Sequence, residues 1–320
     1  MVNESSRARR RFLSHCRNLV AGGAIARLGA FSGLSLGASS LLAQDDRFLS
    51  KTIPGGEESV PSVGMGTWIT FNVGENETLR KARLEVLKTF FELGGQLVDS
   101  SPMYGTAEAV MGYFMEQLPE QESSLFSATK VWTRDEGRPQ IRDSLDLWGL
   151  EAFDLLQVHN LVNWREHLAL LRDMKEAGQV RYIGVTTSHG RRHGELEEIL
   201  KEEPLDFVQL TYNIVDREAE DRLLPLAQDR GVAVIANRPY RQKQLFHRYQ
   251  SEPLPDWADE VGCTTWADFF LKFIISHPAL TCAIPATTQV EHMRENMAAM
   301  RGVIPDARQR ERMAQYVQSL

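Results

Sequence analysis
Three apolar runs in this chain each end on an ionisable side chain. Residues 97–98 lead into Asp99, residues 125–129 into Lys130 and residues 153–158 into His159. A phenol, Tyr104, stands in the turn Ser100-Ser101-Pro102-Met103-Tyr104-Gly105 just after the first run. A carboxylate, an amine, an imidazole and a phenol are groups with which proteins move a proton to or from a substrate oxygen. Taken alone, Asp99 and Tyr104 also have a plainer reading, as a helix cap and a surface aromatic. The spacing decides between the two. Asp99 and Lys130 are 31 residues apart and Lys130 and His159 are 29 apart, close to the ~31 residues per unit expected when roughly 250 residues close an eightfold β/α barrel. Strand ends in such a barrel converge on one face, so the four side chains would share one pocket.

The elements needed to hold them there follow from the pattern. Val63-Gly64-Met65-Gly66-Thr67-Trp68 reads as the first barrel strand, with Thr67 and Trp68 at its functional end. Leu79, Ala82, Val86, Leu87 and Phe90 recur at helical spacing over residues 78–93, and Gly94-Gly95 stops that helix before the Asp99 strand. The alternation continues with a helix over 164–177, a strand to Thr186, a helix around 194–201, a strand over 206–210, a helix over 217–229 and a strand over 232–235. Then come a loop over 239–255 that reads as a lid or pocket wall, an apolar helix over 264–276, a strand over 281–284 and helices over 290–300 and 305–317. Residues 44–62 are polar and carry glycine and proline, which suits a hairpin plugging the barrel floor. The expected fold is α/β, a (β/α)8 TIM barrel in one domain over residues 44–320.

Composition agrees: 320 residues, 42% hydrophobic and 25% charged, suffice for one large core. A net charge of -7 with no basic tract in the body of the chain argues against nucleic acid as a partner. Cys16, Cys263 and Cys282 lack paired or metal-ligand spacing and read as free thiols, so no metal is expected. His189 and His193, flanking Arg191-Arg192, read as a solvated loop. The first 43 residues differ. Arg7, Arg9, Arg10, Arg11 and Arg17 precede a weakly apolar stretch over 19–42, with small residues suited to cleavage near 38–43. This reads as a signal peptide, with an uncleaved anchor or an unused basic leader as the other readings. Removing it, with its six Arg and one Glu, leaves 30 basic and 42 acidic residues, net -12, a chain expected to stay soluble without a stable membrane anchor.

Two resemblances add to this. Arg9-Arg10-Arg11-Phe12-Leu13 resembles the twin-arginine signature, which implies the twin-arginine export machinery as a partner and a periplasmic or exported destination, or the cytoplasm if the leader is not used. Asp99, Tyr104, Lys130 and His159 resemble the catalytic tetrad of the aldo-keto reductases. The likeness extends through Met103-Tyr104-Gly105-Thr106-Ala107-Glu108, Gly178-Gln179-Val180-Arg181-Tyr182-Ile183-Gly184-Val185, and Ile284-Pro285 with Glu295-Asn296, and it runs from about residue 53 to residue 300. It implies reduction of a small aldehyde or ketone by hydride from NADP(H), with NAD(H) possible. Tyr104 is then the general acid, Lys130 paired with Asp99 brings the phenol toward its working range, and His159 supports the carbonyl oxygen.

The same resemblance places Thr67 and Trp68 near the cofactor, Thr186 and Thr187 where Ser-Asn usually holds the carboxamide, and Gln209 at the usual glutamine. Asn237 stands where a nicotinamide-stacking tyrosine is common, and Arg238 can reach the pyrophosphate. Pro285, Ala286, Thr287, Thr288, His292, Glu295 and Asn296 form the cofactor-phosphate segment, the last two having a plain alternative as helix-surface residues. Ala286 and His292 replace residues that are often cationic, leaving His292 and Arg294 as the expected nearby cations and a weaker 2′-phosphate preference. Trp68 and Trp132 are expected to wall the substrate pocket, whereas Trp148, Trp164, Trp257 and Trp266 suit packing. The rival reading is a nucleotide-binding barrel that senses redox state or regulates a partner with little turnover. Substrate identity and oligomeric state are set by loops and surfaces that no motif reports.

Overall fold
The computed structural model describes residues 48–320, and the leader read from residues 1–43 lies outside them. An antiparallel hairpin of β1 (Ser50–Thr52) and β2 (Ser59–Pro61) precedes eight parallel strands. These are β3 (Met65–Gly66), β4 (Leu97–Asp99), β5 (Phe126–Val131), β6 (Phe153–Val158), β7 (Val180–Thr186), β8 (Phe207–Thr211), β9 (Ala233–Asn237) and β10 (Cys282–Ala283), paired in sequence order. The first and last strands meet. Gly64 N–H donates to the Ala283 carbonyl at 2.8 Å, Ala283 N–H to Ser62 at 2.9 Å and Gly66 N–H to Pro285 at 3.1 Å, which closes the sheet into a barrel. A side chain at Gly64 would start 2.8 Å from the Leu97 carbonyl and 3.0 Å from Cys282 Sγ, so the closure requires glycine.

Helices α1 (Glu77–Glu92), α2 (Ala107–Gln117), α3 (Gly137–Trp148), α4 (Trp164–Glu176), α5 (His193–Glu202) and α6 (Leu223–Asp229) follow β3 to β8 in turn. After β9 come α7 (Gln244–Tyr249) and α8 (Trp266–Ile275); after β10 come α9 (Val290–Ala298) and α10 (Ala307–Ser319). Asn76 starts α1 by accepting from Leu79 N–H, and the helix buries Leu84, Val86, Leu87, Phe90 and Phe91. Thr265 and Asp268 form a reciprocal capping box on α8. No helix among the described residues is long and apolar enough to cross a membrane.

Strand alternation sorts the core into two parts. Val98, Val131, Leu156, Val158, Val185, Val208 and Val234 face the helices. Leu97, Phe126, Leu155, Phe207 and Ile235 fill the barrel interior together with Ile53 and Val60 of the hairpin, which plugs the floor as expected. Two element expectations are corrected. The helix read over 217–229 is a 3-10 turn, Glu218–Glu220, followed by α6, because the ring of Pro225 would collide with the carbonyl four residues earlier in a continuous helix. The loop read over 239–255 contains α7, anchored by buried Leu245 and Tyr249, with Phe246 4.7 Å from Tyr240 between ring centroids. Within the segment read as a lid or pocket wall, the chain is therefore partly helical and packed on its own aromatic residues.

Candidate active site
Above the apolar floor the barrel interior turns polar at the carboxyl ends of the strands. Lys130, fully buried at the end of β5, donates to Asp99 Oδ2 at 2.6 Å and to the Ser100 carbonyl at 2.6 Å. Its ammonium lies 5.1 Å from the centroid of the Tyr104 ring, and the His159 ring stands edge-on to Tyr104 at 5.7 Å. The four residues expected to converge therefore do so. Local sequence sets the turn that carries Tyr104. Pro102 opens a 3-10 turn, Pro102–Tyr104, Ser101 caps it, and Gly105 leaves it at φ 65°. Asn72, from the loop after β3, accepts from Thr106 N–H and Oγ1, both at 3.0 Å, and a Cβ on Gly105 would sit 2.5 Å from its Oδ1.

The charges have definite environments. Burial first, and then the charge of Lys130, pushes His159 down to about 2, so the imidazole is neutral. Its Nδ1 is 2.8 Å from Ser101 Oγ; with the hydroxyl donating, the ring proton resides on Nε2. Burial raises Tyr104, Lys130 pulls it back and Asp99 pushes it further up. The expectation that Lys130 brings the phenol down is thus corrected in its net direction, because removing the ring from water outweighs the ammonium. Burial also opposes charge on Lys130, but Asp99 and Tyr104 more than offset this and hold it as ammonium.

A second group of residues surrounds this core. Asp99 Oδ1 accepts from Gln209 Nε2 at 2.9 Å and Gln157 Nε2 at 3.2 Å. Thr67 Oγ1 lies 3.1 Å from the Asp99 carbonyl and 2.8 Å from Ser100 Oγ. Asn237 donates to the Thr187 carbonyl at 2.9 Å and accepts from Thr211 at 2.7 Å, while Thr186 Oγ1 accepts from Asn160 N–H at 3.0 Å. Thr187 Oγ1 is buried without a partner. Sequence reasoning passed over Gln157, Thr211, Ser101 and Asn72; for Gln157 a signal existed, its place two residues before His159 on the inward face of a strand.

The expected phosphate segment occupies the β10 end and α9. Pro285 accepts from Gly66, Ala286 and His292 are exposed, Thr287 is buried and Thr288 and Glu295 are half-buried. Asn296 is buried and accepts from Tyr240 Oη at 2.6 Å. Arg238 follows β9 in a left-handed conformation, φ 55°. Arg83 of α1 donates to the carbonyls of Thr70 at 2.9 Å and Thr288 at 3.1 Å, so His292 and Arg294 are not the sole cations near the segment. Only the fold brings Arg83 there, from 205 residues away. Trp68 is half-buried, whereas Trp132 is 41% exposed, and Met103 and Ile69 are exposed as well. A cavity of about 410 Å³ is lined by Arg134, Leu161, Val162, Asn163 and Arg192. Among the described residues no grouping of His, Cys, Asp and Glu is placed to hold a metal.

The chain matches the aldo/keto reductase family over residues 62–314. It belongs to that family. Methylglyoxal reductase YeaE of Escherichia coli K12 is 27% identical over 254 residues, covering 77% of this chain and 87% of the relative. The NADH-specific methylglyoxal reductase of the same organism is 24% identical over 318 residues, covering 80% and 95%. Among solved structures, the thermostable aldo-keto reductase Tm1743 with the inhibitor epalrestat is 27% identical, with a TM-score of 0.69 over 83% of this chain and 99% of that one. An aldo/keto reductase from Klebsiella pneumoniae, in complex with NADP and acetate, shares the fold at 23% identity, with a TM-score of 0.69 over 82% and 93%. As a member of the family, the chain is an NAD(P)H-dependent carbonyl reductase.

Proposed function
We propose that this aldo/keto reductase reduces a small aldehyde or ketone with Tyr104 as the proton donor, NADP(H) as its principal cofactor and NAD(H) as a weaker substitute. The observation that carries the assignment is the seating of Lys130, 2.6 Å from Asp99 and against the face of the Tyr104 ring, with a neutral imidazole edge-on to that same ring. When bound, the dinucleotide supplies the hydride that no side chain can provide. Tyr104 keeps its proton at neutral pH because burial outweighs the pull of Lys130, and gives it up as negative charge builds on the carbonyl oxygen. Nε2 of His159 donates to the same oxygen, and Lys130 stabilises the phenolate that remains. Asp99 keeps Lys130 charged and in place.

The residues present fit a dinucleotide. Thr187 Oγ1 is a buried hydroxyl left without a partner at the end of β7, suited to a carboxamide. Thr67, Trp68, Thr186 and Arg238 would border the ring and pyrophosphate, and Pro285, Ala286, Thr287, Thr288 and His292 would take the adenosine phosphate at the start of α9. Glu295 and Asn296 would hold the adenine side, with Asn296 already fixed by Tyr240. Trp68 and Trp132 would flank the substrate. Tyr104→Phe tests the assignment, since it removes the hydroxyl and keeps the ring. Carbonyl reduction should fall below detection while NADPH still binds; near wild-type turnover would take Tyr104 out of the role.

We also propose that residues 1–43 form a twin-arginine signal and that residues 44–320 are exported folded, with the cofactor bound. The support is Arg9-Arg10-Arg11-Phe12-Leu13 ahead of a weakly apolar stretch, joined to a barrel whose cofactor is made in the cytoplasm. Replacing all three arginines by lysine should trap the protein in the cytoplasmic fraction; undiminished export would refute the route.

A further inference from the structure
Asn237 occupies the place where the family resemblance implies a nicotinamide-stacking tyrosine, yet its side chain is spent inside the protein. Thr211 Oγ1 accepts from His189 N–H at 2.9 Å and donates to Asn237 Oδ1 at 2.7 Å. Asn237 Nδ2 lies 2.9 Å from the Thr187 carbonyl and 3.4 Å from Gln209 Oε1. Gln209 Nε2 in turn lies 2.9 Å from Asp99 Oδ1 and 3.5 Å from Gln157 Oε1. We infer that Asn237 is a positioning residue for Asp99, acting through Gln209, and that this chain of amides replaces the ring-holding role of that position.

The orientation of every member follows from one fixed point. A backbone carbonyl only accepts, so Thr187 requires Nδ2 of Asn237 to face it, which turns Oδ1 to the Thr211 hydroxyl. The remaining hydrogen of Nδ2 then calls for Oε1 of Gln209, which leaves Nε2 of Gln209 toward the carboxylate. Reversed, Gln209 would set a carbonyl oxygen against a buried anion, a repulsive contact in a medium that screens poorly. The same turn gives Gln157 a donor for its Oε1 and leaves its Nε2 for Asp99. Asp99 is thereby held from two sides on Oδ1 while Oδ2 takes Lys130. The amide hydrogens add positive potential to the site and favour the anionic forms there, Tyr104 included.

The groups facing Tyr104 and Lys130 are Asp99 of β4, His159 after β6, and Glu108 of α2, which reaches Lys130 through its charge while bonded to Thr129, Ser144 and Trp148. Cys282 lies below Asp99 on β10, and burial pushes its thiol up so that it stays neutral. Neither Glu108 nor Cys282 touches the amide chain, so its effect is separable from theirs. The inference rests on the proposed role of Tyr104.

Asn237→Asp presents oxygen to both the Thr187 carbonyl and Gln209 and should turn Gln209 over; Asn237→Leu simply cuts the chain. Titrating the tyrosinate absorbance of cofactor-free protein, with Tyr104→Phe subtracted, reads Tyr104 directly. Its midpoint should rise in Asn237→Leu and further in Asn237→Asp, with the alkaline limb of kcat/KM moving the same way. Gln209→Leu should produce a rise like that of Asn237→Leu, and the double variant should add nothing to it, as expected for residues acting in series. An unmoved midpoint in folded Asn237→Asp and Asn237→Leu, or additive effects, would overturn the inference. So would a change confined to the NADPH dissociation constant, which would put Asn237 on the cofactor alone. Retained turnover in Tyr104→Phe would instead defeat the proton-donor reading beneath it.

Discussion
The two halves of the barrel mouth are built on different principles. At the ends of β4 to β6 the reactive groups hold one another: Lys130 on Asp99, the Tyr104 ring over the ammonium, His159 on Ser101. At the ends of β7 to β10 the inner residues, Gln209 and Asn237, turn toward that centre, while the outer ones are loosely engaged: Thr187 Oγ1 is buried without a partner, and Ala286 and His292 are exposed. The first half, proposed to move the proton, is closed by its own contacts, whereas the second, proposed to take the cofactor, leaves a buried hydroxyl unpartnered and side chains exposed. A half held by buried ion pairs and hydrogen bonds tolerates little change, because removing one member leaves another charged or polar group buried and unpaired.

Breaking the first half should therefore have the largest effects. Lys130→Met is expected to cost roughly a hundredfold or more in turnover, the scale of lost general-acid support. It should also destabilise the fold by about 3 to 5 kcal/mol, since Asp99 is left as a buried charge without its partner; denaturant unfolding checks the second number independently of activity. Somewhat smaller is the pH response. Reduction should hold steady through neutral pH and decline only as pH rises through the elevated range of Tyr104, and no acid limb should come from His159, already neutral. A bell with its acid side near pH 6.5 would contradict that environment.

Cofactor choice sharpens the contrast from the other side. NADPH should be preferred over NADH only modestly, because Ala286 brings no charge to the start of α9 and His292 stands exposed to solvent there. Dissociation constants for both cofactors give the answer; a large preference would point to Arg83 or Arg238. The smallest effect concerns stability in acid. His159 folds neutral, with its folded pKa lowered to about 2, so its contribution is full above its unfolded value of about 6.5 and is lost as pH falls below it, by up to about 1.4 kcal/mol per pH unit. His277, lowered to about 4 first by burial and then by Arg310, adds to the slope at its upper end. Replacing His159 by Gln should flatten the dependence between pH 6 and pH 4 measured by urea unfolding.

Much of this was open to reading along the chain because its signals are local. A strand that ends on Asp99, Lys130 or His159 announces itself within seven residues, and the 31- and 29-residue intervals supply the barrel. The exceptions are also local in origin. Pro225 split a helix that periodicity made continuous, and the Leu245–Tyr249 pair made a helix inside a segment whose prolines suggested loop. Contacts between distant segments left no such trace. Asn72 bonded to the Tyr104 turn and Arg83 on Thr288 are residues of ordinary type at unremarkable positions, and Gln209, expected beside the cofactor, bonds Asp99 instead.

By itself, the sequence determined the alternation of strands and helices, the inward face of each strand and which four ionisable side chains meet at the barrel mouth, because side-chain period and strand-end position are properties of short stretches. Only the tertiary structure decided the direction in which Tyr104 is tuned, since desolvation depends on everything packed around a group rather than on its neighbours in the chain. It also decided what Asn237 does. A sequence position can show that an aromatic ring is missing, but the acceptors that claim the amide, the Thr187 carbonyl and Gln209, come from other strands and meet it only when the barrel closes.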